Sequence, residues 1–325
     1  MSSQGKIAII GAGHVGSHCA LSLAHSGARR EVVLIDKDAP KARAQALDVS
    51  DSLSFTPAVT IVRDGTYQDC ADADIVVIAI GEARLPGQTR LDMLENSIRM
   101  LHGLLGALKP LAIKGLVITI TNPADIIANY VRLGLGLPRN RVFGTGTLLD
   151  SARLIRLLSE ATGYSRSDVH AVSMGEHGDS SMVPFSQVTI GNKPFSVFKN
   201  LDRSALLSQT RQGGMDIVEG KGSTEFGIGQ VLSVLCGSIL RNEHRILPLS
   251  VLLEGEYGQH GLHAGVPCRV GRDGIEEVIE LELDAGELSQ LHASFEVITA
   301  HNKKAQELAP TDSIGNPEHG NRRHI

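Results

Sequence analysis

Two periods of apolar residues alternate along the first half of this chain. Lys6 to Ile10 is a short β-rich run that stops at Gly11. From His14 to about Ser26 the apolar positions Val15, Cys19 and Leu23 recur at helical spacing until Gly27. Glu31 to Ile35 returns to strand character, and Asp36 closes it. Strand, glycine turn, helix, strand and acid is the order of a βαβ unit. Val59 to Arg63 and Ile75 to Ile80 predict further strands and Leu91 to Leu108 a helix. Leu116 to Thr121 predicts a buried strand ending at Asn122-Pro123, and Asp125 to Leu133 another helix. Repeated units of this kind predict a doubly wound, mostly parallel sheet.

After about Gly144 the pattern changes. Leu148 to Thr162 predicts a helix ended by Gly163, and Val169 to Met174 and Gln187 to Ile190 predict strands. Between those strands lies a polar loop, Gly175 to Ser181, dense in ionisable groups. Ile275 to Leu283 alternates with strand period, and Ala285 to Leu308 is a long amphipathic helix. The predicted division is a first domain over 1–144, a second of α+β type over 145–309, and a loose polar tail over 310–325.

Composition narrows the class of molecule. A length of 325 residues accommodates two domains. Aromatics make up 3% and Trp is absent, so the core is built from Ala, Val, Leu and Ile, as in sheets covered on both faces. A net charge of -5 with no basic face or tail argues against a nucleic-acid partner or an anionic membrane surface. Small anionic substrates stay open, because a local Arg can hold one whatever the total charge. Cys19, Cys70, Cys236 and Cys268 lie far apart with no C-x-x-C pair, which argues against a metal site or a disulfide framework and fits a reducing cytoplasm. No apolar run reaches the ~18 residues of a membrane helix. Ile7 to Ile10 is too short for a signal peptide.

Gly11-Ala12-Gly13-His14-Val15-Gly16 fits G-x-G-x-x-G, a weak signal by itself because glycine turns between strand and helix are common. Here it follows a strand and opens a helix, and Asp36 stands 20 residues after Gly16. In that setting Gly11 permits the turn, Gly13 lets a pyrophosphate approach the backbone, and Gly16 lets the helix pack closely. The phosphates rest at the positive helix end. Asp36 accepts from both ribose hydroxyls and repels a 2′-phosphate, so the expected cofactor is NAD rather than NADP, with Lys37 weakening that preference slightly. FAD and S-adenosylmethionine are the other ligands that such a Rossmann-type sheet takes.

Hydride transfer to a 2-oxo acid needs a group that holds the carboxylate, one that polarises the ketone, and one that supplies the alcohol proton. Arg suits the first by its planar fork, Arg or an imidazolium the second, and a His held by a carboxylate the third. Gly175-Glu176-His177-Gly178-Asp179-Ser180 places a His in a turn between strands, and Asp150 and Arg153 share one face of a predicted helix. Alone, the first reads as a surface loop and the second as a solvated ion pair.

Together with Thr121-Asn122-Pro123-Ala124-Asp125, Gly144-Thr145-Gly146-Thr147-Leu148-Leu149-Asp150-Ser151-Ala152-Arg153 and Gly220-Lys221-Gly222-Ser223-Thr224, these residues resemble the L-lactate/malate dehydrogenase family, in family order from about Lys6 to about Leu308. The resemblance implies a Rossmann-type NAD domain followed by an α+β catalytic domain. It implies His177 as proton donor and acceptor, Asp150 as the group that holds its imidazolium, and Arg153 as the carboxylate clamp. By the same resemblance Arg90 polarises the carbonyl from a mobile loop, Asn122 hydrogen-bonds near the nicotinamide and the substrate oxygen, and Thr224 lines the pocket. It further implies a homodimer or homotetramer acting on a small 2-hydroxy or 2-oxo acid, with no metal.

Arg84, six residues before Arg90, is the position where the family commonly carries Gln for lactate and Arg for malate. A second carboxylate in a closed, dry site needs a cation, so Arg84 leans towards malate and oxaloacetate. Glu176 and Thr224 are more lactate-like, and lactate with pyruvate is the alternative; a bulkier 2-hydroxy acid is a third. Ile155 and Gln187 stand where members activated by fructose 1,6-bisphosphate carry basic residues, so that activation is not expected. A non-catalytic NAD-binding protein and a Rossmann methyltransferase are the competing classes. Retention of His177, Asp150, Arg153 and Arg90 together argues against the former.

Overall fold

Strands covered by helices on both faces need no polar side, and the first half of the chain is built on that rule. In the computed structural model, which describes residues 5–27, 31–81 and 90–314 (of 90–93 only the backbone), β1 (Lys6–Ile10), β2 (Glu31–Ile35) and β3 (Ile61–Asp64) run parallel. The helices α1 (His14–His25) and α2 (Ala39–Ser52) connect them. Beyond β1 the sheet continues through β4 (Ile75–Ile78), β5 (Leu116–Thr119) and β6 (Val142–Gly144), reached by α3 (Arg90–Leu108) and α4 (Ala124–Leu135). The spatial order β6-β5-β4-β1-β2-β3 is the doubly wound one, with its switch point between β1 and β4. Ile75, Val76, Val77 and Ile78 are all fully buried, as the near-continuous apolar run of β4 requires.

Beyond β6 come α5 (Leu148–Thr162), the short strands β7 (Val169–His170), β8 (Thr189–Ile190) and β9 (Lys193–Pro194), and the helices α6 (Arg203–Lys221) and α7 (Phe226–Arg241). A long hairpin of β10 (Arg245–Glu254) and β11 (His260–Gly271) follows, then β12 (Gly274–Val278) and α8 (Ala285–Leu308). Strands β7, β8 and β9 form a small antiparallel sheet over a second core of Leu154, Leu158, Val169, Phe185 and Phe195. The hairpin is not a separate layer. β10 pairs antiparallel with β6 at Ser250 and Gly144, so nine strands of the described residues form one sheet across both halves of the chain.

Several boundaries differ from expectation. Two long apolar runs shorten to β4 and β5. The strand expected to Met174 ends at His170, and beyond it Met174 makes only an isolated bridge to Met182. The strand expected to Leu283 ends at Val278. α2 escapes periodicity because its buried stripe is only Ala42, Ala46 and Val49; Asp38 caps it by accepting from the Lys41 amide at 3.1 Å. α6 buries only Leu206 and Thr210. β11 runs unbroken through Gly261, Gly265 and Pro267, which read as turn residues in one dimension. The loose tail expected from 310 holds neither for Thr311–Ser313, a 3-10 turn, nor for Ile314, which is 3% exposed against α4 at Gly134. Residues 315–325 lie outside the described residues.

Candidate active site

The glycine turn takes the form its spacing asks for. Gly11 has φ +108°, and a Cβ there would lie 2.5 Å from the Ala79 carbonyl of the strand end across the switch point. A Cβ on Gly16 would lie 1.8 Å from the Gly11 carbonyl, so the first turn of α1 packs on its own entry loop. Gly13 has nothing within 4 Å of its Cβ position, with φ -77° and ψ -172°. It is the N-cap of a helix with no side-chain cap and no acid in its first turn, so amide donors there are open to an anion. Asp36, at the end of β2, accepts from the Ala12 amide at 2.8 Å and from the Asp38 amide at 3.0 Å. Open space at Gly13, uncapped amides at the helix end and a half-exposed carboxylate beside the turn fit a dinucleotide carrying free ribose hydroxyls.

This geometry separates two glycine substitutions. Gly13→Ala is compatible with its dihedrals and is expected to cost the fold at most about 1 kcal/mol, while weakening NADH binding tenfold or more, a loss of about 1.4 kcal/mol. Gly16→Ala meets backbone and is expected to destabilise the protein by about 1–3 kcal/mol. Melting temperature and an NADH fluorescence titration on both variants check this. Equal melting losses would show that Gly13 is only a turn residue.

The second cluster is assembled from α5 and the 175–181 loop. α5 begins right after β6, which places Asp150 in its first turn and Arg153 one turn on. Asp150, 6% exposed, accepts from His177 Nδ1 at 2.5 Å through Oδ2 and from Arg153 Nη1 at 2.6 Å through Oδ1. Burial pushes the Asp150 carboxyl up, but His177 and Arg153 outweigh it and hold it below its ordinary value. The Asp150 charge raises the His177 imidazole against the opposing effect of burial. With Nδ1 committed to the carboxylate, Nε2 is the nitrogen left for proton exchange.

Arg153 has a buried Nε with no partner among the described residues. Its guanidinium also meets α6 at a glycine: a Cβ on Gly214 would lie 3.2 Å from Nη2. An almost buried guanidinium with a donor unspent has the chemistry to hold a carboxylate.

The loop that carries His177 is held from three sides. Gly175, φ +87°, exchanges backbone hydrogen bonds of 2.8 Å with Gly265 of β11, and a Cβ there would strike Ser294 of α8 at 2.4 Å. The Glu176 amide donates to Ser294 Oγ at 2.7 Å, while its carboxylate accepts from Ser180 Oγ at 2.5 Å. The His177 amide donates to Asp125 Oδ2 at 2.8 Å. Gly178 leaves room for the Glu176 carboxyl, 2.7 Å from its Cβ position.

His177, Asp150 and Arg153 are therefore brought together. Gly11, Gly13, Gly16 and Asp36 form a separate cluster at the switch point. Asn122 follows β5 and is joined to Pro123 by a cis peptide; its carbonyl accepts from Ser97 Oγ at 3.0 Å. Thr224 lies half-buried in the link between α6 and α7. Arg84 lies outside the described residues, and Arg90 is described only as the first residue of α3. Sequence reasoning passed over Ser250, Gly214 and Ser294, and gave Asp125 no role beyond its place in a motif. Asp125 gave a signal, an acid in the first turn of a helix, but that signal equally reads as helix-end electrostatics.

Similarity to known proteins extends over nearly the whole chain. The family profile for the lactate/malate dehydrogenase NAD binding domain matches residues 5–144, and that for the lactate/malate dehydrogenase alpha/beta C-terminal domain matches 147–309. L-lactate dehydrogenase 3 of Bacillus cereus is 41% identical over 306 residues, 92% of this chain and 97% of that protein. The ligand-bound crystal structure of minor L-lactate dehydrogenase from Enterococcus mundtii superposes with a TM-score of 0.89 at 31% identity, covering 93% of this chain and 98% of that one. The malate dehydrogenase of Picrophilus torridus gives 0.89 at 26% identity over 94% and 98%. Among the described residues no helix is long and apolar enough to cross a membrane. A doubly wound NAD-binding half, an α/β second half and matches to both family domains make this chain a member of the lactate/malate dehydrogenase family of NAD-dependent oxidoreductases.

Proposed function

We propose that the protein interconverts a small 2-oxo acid and its L-2-hydroxy acid, with pyruvate and lactate as the pair. The observation that carries the chemistry is one carboxylate, Asp150, held at 2.5 Å by His177 and at 2.6 Å by Arg153, with a donor of Arg153 unspent. When bound, the nicotinamide supplies or accepts the hydride at the carbon that bears the oxygen. His177 gives its Nε2 proton to the carbonyl oxygen during reduction and takes it back from the hydroxyl during oxidation, and Asp150 stabilises the imidazolium in between. Arg153 grips the carboxylate of either acid, so that the reacting carbon is presented in one orientation. Arg90 polarises the carbonyl, Asn122 orients it beside the nicotinamide, and Thr224 walls the pocket. Asp36 selects NAD by its hydrogen bonds to the ribose.

The choice of pyruvate rests on the relatives, of which the 41% identical Bacillus cereus protein bears the name L-lactate dehydrogenase 3, and on Thr224 and Glu176. Arg84 supports a second reading, oxaloacetate and malate, because a second carboxylate in a dry site needs a cation. Either reading fits a homo-oligomer, dimer or tetramer. The test is NADH oxidation with pyruvate and with oxaloacetate, compared by kcat/KM, in the wild type and in Arg84→Gln. On the pyruvate reading, pyruvate is the better substrate in the wild type and the substitution lowers only the reaction with oxaloacetate. If oxaloacetate wins in the wild type and the order reverses in the variant, Arg84 reads the second carboxylate and the enzyme is a malate dehydrogenase. NADH binding without turnover on any 2-oxo acid would sink both.

A further inference from the structure

Asp125 is a buried ionisable group to which the proposed chemistry gives no task. It is 1% exposed, in the first turn of α4, three residues after Asn122. A carboxylate taken out of water is costly unless donors replace the water. Here two do: the Ser250 hydroxyl donates to Oδ1 at 2.6 Å, and the His177 amide donates to Oδ2 at 2.8 Å. Ser250 is fully buried and is the residue through which β10 pairs with β6. One side chain thus ties the helix that follows Asn122, the hairpin of the second half, and the main chain of the residue whose imidazole sits on Asp150.

We propose that Asp125 is a positioning residue for the proton transfer: locked by Ser250, its carboxylate pins the His177 backbone so that the ring stays on Asp150, and its negative charge favours the imidazolium. This rests on the reading of His177 as proton donor. Without the bond to Asp125 the turn is secured at Gly175, Glu176 and Ser180 but not at the His177 amide, and a misplacement of about 1 Å at a reacting group costs on the order of 10²-fold in rate. The ionisable groups facing Asp125 are His177 and Glu176, both on the loop, while β10 presents the Ser250 hydroxyl. Burial pushes the Asp125 carboxyl up to about 6, against the downward pull of Ser250 and His177. Of the charges acting on His177, Asp150 raises it most and Asp125 adds to that.

The test uses Asp125→Ala, Asp125→Asn, Ser250→Ala and, as a reference, His177→Asn. The readouts are NADH affinity, kcat and KM, and the pH profile of 2-oxo acid reduction. Asp125→Ala removes the pin and is expected to lower kcat roughly ten- to hundred-fold with NADH affinity unchanged. Asp125→Asn keeps an acceptor for the His177 amide but loses the charge. It is expected to recover much of kcat and to move the high-pH fall of reduction to lower pH, a shift that a purely structural role would not produce. Ser250→Ala, which loosens the lock and keeps the charge, is expected to lower kcat several-fold without moving that fall. If Asp125→Ala does not fold, the other two variants decide. The proposal is overturned if Asp125→Asn leaves the pH profile in place and Ser250→Ala keeps the wild-type kcat while His177→Asn is inactive. If His177→Asn itself turns over at the wild-type rate, it is the underlying reading of His177 that fails.

Discussion

His177→Asn is expected to lose about 10²–10⁴-fold in kcat, the range that a positioned general acid contributes, with NADH affinity almost unchanged. The amide of Asn can still donate to Asp150, so the substitution keeps the local hydrogen bond and removes only the titratable proton. The turn at Gly11, Gly13 and Gly16, with Asp36, belongs to the other cluster and is untouched. The pH dependence follows from the raised imidazole. Reduction needs the imidazolium, so its rate is at a plateau below the His177 pKa and falls as pH rises through it. Oxidation needs the neutral ring, so its rate climbs over the same interval. Because Asp150 lifts the pKa above its ordinary value, the reducing plateau extends to higher pH than a free imidazole allows. In His177→Asn both limbs disappear with the activity. Turnover at the wild-type rate, or a pH profile that survives the substitution, would assign the proton to another group.

Arg153→Lys is the second large effect, expected to lower kcat/KM for the 2-oxo acid by about 10²–10³-fold, or roughly 3–4 kcal/mol. Charge is conserved and geometry is not. A guanidinium offers a planar fork with which it can hold Asp150 on one edge and a substrate carboxylate on the other; an ammonium is a point charge on a flexible stem. In the structure one guanidinium nitrogen is committed to Asp150 at 2.6 Å and Nε is buried without a partner among the described residues. Lys at 153 keeps an attraction to Asp150 and gives up the two-point grip. The loss is therefore expected in KM as well as kcat, with NADH affinity unaffected. Steady-state kinetics with pyruvate and a cofactor titration check this. An unchanged KM would mean that the carboxylate is held elsewhere and that Arg153 serves only the ion pair.

Some of this was legible in one dimension and some was not. α5 and α8 have the limits that the apolar period predicts; Gly163 stops one as expected, and in the structure Asp284 opens the other with a capping box. Strands β1 and β2 coincide with their apolar runs because the runs are bounded by Gly11 and Asp36. β4 and β5 end earlier than their apolar runs, although the Ala79 amide still donates to the Ile10 carbonyl at 2.8 Å and the Ile120 amide to the Ile78 carbonyl at 3.0 Å. The dinucleotide turn could be read residue by residue, since a steric demand on glycine is local: Gly11 and Gly16 are excluded from carrying a Cβ by atoms of their own loop and its neighbouring strand. The i, i+3 spacing placed Asp150 and Arg153 on one face, and the ion pair is there.

What the sequence by itself determined is the set of local decisions: which segments pleat or coil, where the cofactor turn lies, and which residues have the chemistry for hydride and proton transfer. Period, capping and glycine sterics act within a few residues and need no partner. The tertiary structure alone decided what happens across separations of tens to hundreds of residues. His177 meets Asp150 across 27 residues and Asp125 across 52, and Ser250 meets Asp125 across 125. It also decided that the hairpin of β10 and β11 extends the parallel sheet instead of founding a new one. The reason is that burial and hydrogen-bond pairing are set by the neighbours a group acquires on folding, so a loop His becomes a positioned imidazole only when a distant helix and a distant strand close around it.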